Sequence, residues 1–220
     1  MLWSQLDRVM GYYPVLLKGI TTTVSLSLIA LLIGVAVGFA FGILRAGRNR
    51  PLSYLVGLYI DFFRGTPFLV QLFIIFFILP AIGIEMNAFT AGVVALSNMA
   101  ACFIGEIVAA GIAAVPTGQT EAAAASGLTK AQQLRHVVLP QAVRIVTPSL
   151  VGQFVLLIKD SSVVSAIGLL DLTRSGWVIV QSVPNGLLVF AIIALGYFVI
   201  CYPLIWLSRR MEDRGQAAIL

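Results

Sequence analysis

Long uncharged runs alternate with short polar interruptions along the chain, and the runs have the length of membrane spans. Ile20 to Leu44 carries no charge for about 25 residues, enough at 1.5 Å per residue to cross the roughly 30 Å of a bilayer's hydrocarbon. Further runs at 52–80, 88–115, 145–170 and 186–207 predict four more spans. Met1 to Lys18 is an amphipathic lead-in whose Trp3, Tyr12 and Tyr13 suit the headgroup level. A basic hairpin (Arg45, Arg48, Arg50, Pro51) parts the first two spans, and a short acidic turn carrying Glu85 parts the next two. Asp171 to Asn185, with Arg174, Trp177 and Pro184, precedes the last span. The expected fold is an all-α integral membrane protein, one domain over 1–220, with five crossings and its termini on opposite sides.

One polar segment breaks this rhythm. Residues 117–144 read TGQTEAAAASGLTKAQQLRHVVLPQAVR, bounded by Pro116 and carrying Pro140 near the far end, so they do not form a span. The segment predicts one or two short helices in water at a membrane face, with Gly127 as the turn. A loop of that length, so rich in helix formers, is presented to a partner.

Composition supports the membrane assignment. The chain is 60% hydrophobic and only 10% charged, where a soluble domain has about a quarter of its residues charged. Cys102 and Cys201 sit in apolar runs without metal-ligand spacing and read as packing residues. No removable signal peptide is expected. The net charge of +5 comes from scattered basic residues rather than one stripe, which argues against nucleic acid. SGLTKAQQLRHVVL alone could pass for a helix-turn-helix, but its flanking spans argue against DNA. The charge is better explained as orientation. Arg45, Arg48, Arg50, Lys130, Arg135, Arg144, Arg209, Arg210 and Arg214 lie on one side, against Arg8, Lys18 and Arg174 on the other. The positive-inside rule then puts the N-terminus outside, and the polar loop and C-terminus in the cytoplasm.

Charges inside the spans are the informative ones. Arg64, Glu106, Lys159 and Asp160 fall roughly 15 to 23 Å from the cytoplasmic face at 1.5 Å per residue, near mid-bilayer. Ions there are costly unless paired or hydrated, so they mark either a polar pathway or a neutralised structural network. Asp61, one turn before Arg64, offers that arginine a purely local partner. Gly65, Thr66 and Pro67 follow Arg64, and the proline removes a helical hydrogen bond in mid-span, giving a structural kink or a broken helix of the kind found at transport sites. Gly34, Gly38 and Gly42 form a stripe that admits a close helix neighbour, more simply within the chain than at a dimer seam. No Ser/His/Asp or paired-carboxylate constellation is present, and His136 reads as a surface residue.

The loop resembles the EAA motif of ATP-binding-cassette importers, carried here by Glu121, Ala122, Ala123, Gly127, Leu139 and Pro140. More narrowly, GIAAVPTGQTEAAAASG, FRGTPFLVQLF at Phe62 to Phe73, and Lys-Asp-Ser-Ser at Lys159 to Ser162 are similar to signatures of the polar amino-acid permeases. The likeness spans nearly the whole chain. It departs at Cys102 to Ala109, where that family often has a tyrosine before the glutamate and an arginine after it, and at Gly152, where asparagine is common.

The resemblance implies the permease fold of a type I importer, with two permease subunits, identical or related, enclosing a path in the lipid of a bacterial inner membrane. Two separate ATPase subunits would carry ATP and magnesium, and a periplasmic or lipoprotein solute-binding protein would deliver substrate. Glu121, Ala122, Ala123 and Gly127 would form the ATPase contact; Arg64, Gln71, Glu106, Lys159 and Asp160 would line the path. No cofactor is expected on this chain, and no GxxxxGK[ST] sequence occurs in it, so the energy source must be another polypeptide. A channel, or a scaffold binding a cytoplasmic partner through 117–144, is the other reading of the loop and spans.

Overall fold

The computed structural model describes residues 2–47 and 49–217, with side chains over 5–47 and 49–211. Arg48 and the side chains of Trp3 and Arg214, counted above, lie outside the described residues. Among the described residues every regular element is helical. The amphipathic α1 (Leu2–Gly11) leads into α2 (Tyr13–Ala46), 34 residues long. Asn49 caps α3 (Arg50–Arg64) by accepting a hydrogen bond from the Leu52 N–H, and Pro51 sits in the first turn, where its missing N–H costs nothing.

The second apolar run is two helices, bent by 99° at the break, rather than one continuous helix. Gly65 N–H still bonds Asp61 O at 2.9 Å, so α3 is complete up to Arg64. Pro67 then has ψ 132 and starts α4 (Phe68–Phe73) in a new direction. A proline ring disfavours helical backbone at the residue before it, and Pro67 lacks the N–H that would continue α3. From α4 the chain runs through a π turn (Ile74–Ile78) and a 3-10 turn (Leu79–Ile82) to Gly83 at φ +84.

After Asn87, which caps Thr90, α5 (Ala88–Ala113) is continuous. The polar segment forms α6 (Thr117–Ala125) and a turn. It then forms α7 (Lys130–Gln133), which continues through a π turn (Leu134–Val138) into α8 (Leu139–Asp160) and a 3-10 segment (Ser161–Ile167). The hydropathy pattern starts a span at 145, yet the helix begins fifteen residues earlier, at Lys130. Pro140 does not end it, because the wide π turn just before relieves the clash with the carbonyl four residues back. The last elements are α9 (Leu172–Val180) and α10 (Gly186–Ala217). Four helical segments are long and apolar enough to cross a membrane, or five if α3 and the segment from Phe68 to Ile82 count as one broken span.

The chain divides into two compact units. The first comprises Met1–Leu32, Pro67–Ser97 and Phe154–Ile205. In it Val9 of α1 is fully buried against Ile179, Val183 and Val189. Gly19 lets α2 meet the start of α9, where Thr23 Oγ1 accepts the Leu172 N–H at 3.0 Å. The second unit comprises Ile33–Thr66, Asn98–Gln153 and Trp206–Leu220. Here Gly38 and Gly42 of α2 lie directly on Ile104 and Val108 of α5, and Gly34 is buried. The small-residue stripe therefore serves packing within the chain.

Candidate functional site

The polar loop is built as a defined turn between helices. Leu128 N–H bonds Ala123 O at 3.2 Å and Gly127 N–H bonds Ala124 O at 3.0 Å, with Gly127 at φ +81. This is a Schellman stop, which needs a left-handed residue at the glycine position. Thr129 restarts the helix through a capping box with Gln132. The outcome is an exposed α6, with Glu121 and Ala122 facing out and Ala123 only 6% exposed, seating the helix on its own unit. Beneath it lies a cleft of 470 Å³ lined by Thr117, Thr120, Lys130 and Gln133, with Ala46 and Ile112 opposite.

A second feature of the same unit is a row of ions of alternating sign. Asp61 faces Arg45 at 3.8 Å, Arg45 Nε lies 2.9 Å from Glu106 Oε2, and that oxygen lies 3.7 Å from an Arg64 nitrogen. The Arg64 guanidinium also stands over the Phe103 ring, 5.2 Å from its centroid. The three helices position these groups for simple reasons. Arg45 follows Gly38 and Gly42 at i+7 and i+3, so it shares the side of α2 that meets α5 at Ile104 and Val108, and Glu106 of α5 adjoins Gly105, which packs between Phe41 of α2 and Ile60 of α3. Gly57 of α3 has no side chain where the Arg45 guanidinium passes; a Cβ there would collide with it. Tyr59, which donates to Asn98 Oδ1 at 2.6 Å, and Phe63 complete an aromatic wall on α3.

Arg64 and Glu106 therefore meet as a cross-helix pair. The local Asp61–Arg64 pair is not formed, because Asp61 turns to Arg45. Arg45 itself is what sequence reasoning missed: counted as a topology charge of the hairpin, it is the centre of the row. Its signal was its register on the glycine stripe. It lies in the last turn of α2, and Glu106 is seven residues, about 10 Å, before the end of α5, so the row sits nearer the helix ends than mid-bilayer reckoning put it. Among the described residues the ion pairs involve Arg45, Asp61, Arg64 and Glu106; Lys159, Asp160 and Gln71 belong to the first unit and take no part in them. Lys159 and Asp160 end α8 where it tightens into the 3-10 segment, and Gln71 is buried on α4.

The first unit holds another polar centre. Asp171 is fully buried and caps α9, Oδ1 accepting the Arg174 N–H at 2.7 Å and Oδ2 the Tyr197 hydroxyl at 3.2 Å. Burial raises its carboxyl above the ordinary range, and the hydrogen bonds to backbone N–H groups and Tyr197 oppose that rise.

Long apolar helices, one of them broken, with charges held among them and a capped helical arm in the polar loop, define a multi-pass membrane protein of the transport class. The chain belongs to the family of binding-protein-dependent transport system inner membrane components, which it matches over residues 30–215. It is a permease subunit of the ATP-binding-cassette importer type and not an enzyme, the ATPase being a separate subunit. It is 33% identical over 212 residues to a putative glutamine transport system permease protein of Rickettsia felis, covering 94% of this chain and 97% of the relative. With the L-cystine transport system permease protein of Bacillus subtilis it shares 34% identity over 205 residues, 93% of this chain and 88% of the relative. The arginine transport system permease protein of the same organism is 33% identical over 202 residues, with 91% and 92% covered. Among solved structures, the crystal structure of an amino acid ABC transporter with histidines superposes with a TM-score of 0.86 at 36% identity, covering 93% of this chain and 96% of that one.

Proposed function

We propose that this chain is the permease subunit of an ATP-driven importer that carries a polar amino acid across the bacterial inner membrane. The observation that carries the proposal is the exposed α6, closed by a left-handed glycine at 127: a rigid arm presenting Glu121 and Ala122 to a partner. In this reading α6 docks in a cleft of a cytoplasmic ATPase that holds ATP and magnesium. Ala123 seats the arm, Gly127 sets its turn, and closure of the ATPase tilts the helices attached to it. A second permease, identical or related, completes the path, and an external solute-binding protein delivers substrate. The N-terminus lies outside and the C-terminus in the cytoplasm, in keeping with the excess of Lys and Arg on the loop side. Relatives described as glutamine, L-cystine and arginine permeases support an amino acid as cargo. The candidate path residues are Arg64 and Glu106 in one unit and Gln71, Lys159 and Asp160 in the other.

Proline fixes φ near −65° and cannot occupy the +81° of Gly127. Gly127→Pro should therefore insert normally but neither transport nor bring down an ATPase on purification, whereas the native chain does both. A native chain that conducts solute alone, without an ATPase, is a channel and overturns the proposal; one that binds a cytoplasmic partner and moves nothing is a scaffold and does so equally.

A further inference from the structure

We infer that the cleft beneath α6 is a binding site for a zwitterionic aminophospholipid, its phosphodiester held by Lys130 and its ammonium by Glu121. The site requires only that the polar loop lie at a membrane face, whatever solute the chain carries.

Two cavities share one polar seam. The cleft of 470 Å³ and a neighbouring cavity of 390 Å³ are both lined by Thr117, Thr120, Lys130 and Gln133. On one side of the seam the wall is apolar, made by Ile112, Val115, Leu134 and Val138. Val115 and Val138 are buried together with Ala142, and Ile112 and Leu134 pack against them, so this wall belongs to a packed core. On the other side the lining adds Glu121 and Ala124. Across the site the order is therefore apolar surface, then a cation with two hydroxyls, then a carboxylate. Helix register produces it: Thr117, Thr120, Glu121 and Ala124 recur at helical spacing and form one stripe of α6, with Glu121 at its border with Ala122.

The place of the cleft in the fold selects a lipid. Ala46, which ends α2, and Ile112, in the last turn of α5, both line it, and each of these helices is long and apolar enough to cross a membrane. The apolar wall thus stands where hydrocarbon gives way to headgroups. A soluble anion on the seam would leave that wall uncovered, whereas the glycerol and upper acyl chain of a lipid cover it.

Charge selects the headgroup. Among the described residues neither Lys130 nor Glu121 enters an ion pair, and both are exposed. Helix α6 starts at Thr117 without a side-chain cap, which leaves the positive end of its dipole beside the seam. A phosphate there meets the Lys130 ammonium, two threonine hydroxyls and this helix end. A headgroup of net negative charge would also meet the Glu121 carboxylate, and like charges there repel. An ethanolamine ammonium, just beyond the phosphate, pairs with Glu121 instead. Its N–H donors suit a carboxylate, and a choline headgroup has none to offer.

Native mass spectrometry of the purified, delipidated full-length chain reads its affinity for the first lipid bound. The probes are phosphatidylethanolamine, phosphatidylglycerol and phosphatidylcholine with identical dioleoyl chains. The native chain should prefer phosphatidylethanolamine to each of the others by about tenfold, the effect of one charge-assisted contact. Lys130→Gln should weaken phosphatidylethanolamine by about the same factor, and Lys130→Arg, which keeps the charge, should bind it as the native chain does. Glu121→Gln should abolish the preference over phosphatidylglycerol, which then meets no carboxylate. Equal binding of the three lipids by the native chain overturns the proposal, as does native affinity retained by Lys130→Gln or native preference retained by Glu121→Gln. Glycerophosphoethanolamine, the same headgroup without acyl chains, should displace the lipid only at about a hundredfold higher concentration. Displacement at equal concentration makes the site one for a soluble phosphoester and overturns the lipid.

Discussion

At the scale of single residues, side chains with similar sequence surroundings take different roles according to what faces them. Asp61 and Asp171 each follow apolar residues and stand three positions before an arginine. Asp61 is largely exposed and partners Arg45 across helices, whereas Asp171 is buried as a helix cap bonded to Tyr197. For Asp171 burial is the dominant influence, so its folded-state pKa is raised. Its contribution to stability is then full below the ordinary carboxylate range and is lost as pH rises through the folded value. Asp171→Asn keeps an acceptor for the Arg174 N–H without the charge. Its melting temperature should exceed that of the native chain most at neutral pH, and the difference should vanish as pH falls towards about 4. A difference independent of pH would show that the Asp171 carboxyl titrates alike in the folded and unfolded chain, against the upward shift. Asp171→Ala, which removes the cap, should cost about 1 kcal/mol.

At the scale of elements, close approach and interruption carry the design. Gly42 brings α2 onto α5: an added Cβ would lie 2.5 Å from Val108 Cβ and 2.8 Å from Gly105 O. Because one of those atoms is backbone, the helices must separate, and Gly42→Ala should destabilise by about 1–3 kcal/mol in a detergent melt. Moving the helices also pulls Arg45, three residues on, away from Glu106. Val108→Ala in the same chain should restore only part of the stability, since it removes Cγ1 but leaves the residue-108 Cβ and the Gly105 carbonyl in place. Such spacing is readable from sequence as a stripe, and so is the Gly65–Pro67 interruption. The register that sets Arg45 against Glu106 is not, because it depends on which faces of two distant segments meet.

At the scale of the whole molecule, the two native cysteines are buried, which makes orientation directly measurable. Ala124 is exposed on α6. Ala124→Cys should react with a membrane-impermeant maleimide in inverted vesicles and not in intact cells, against a native background close to zero. Labelling from outside would reverse the proposed topology and remove the cytoplasmic docking of α6 with it.

The membrane class, the number of apolar runs, the exposed arm and its turn at Gly127 were all determined by the sequence alone. Each depends on local quantities: the length of an uncharged stretch, a proline's missing donor, a glycine's freedom at positive φ. Four of the residues expected along a path were visible for the same reason, since a charge inside an apolar run stands out wherever it folds; the fifth, Gln71, came with the family phrase. Only the tertiary structure decided which of them meet. Arg45 joined Glu106 and Arg64, Asp61 chose Arg45 over its own neighbour, and Asp171 turned from a loop residue into a buried cap. Ion pairing and burial depend on segments far apart in the chain coming face to face, and no single stretch of sequence contains that information.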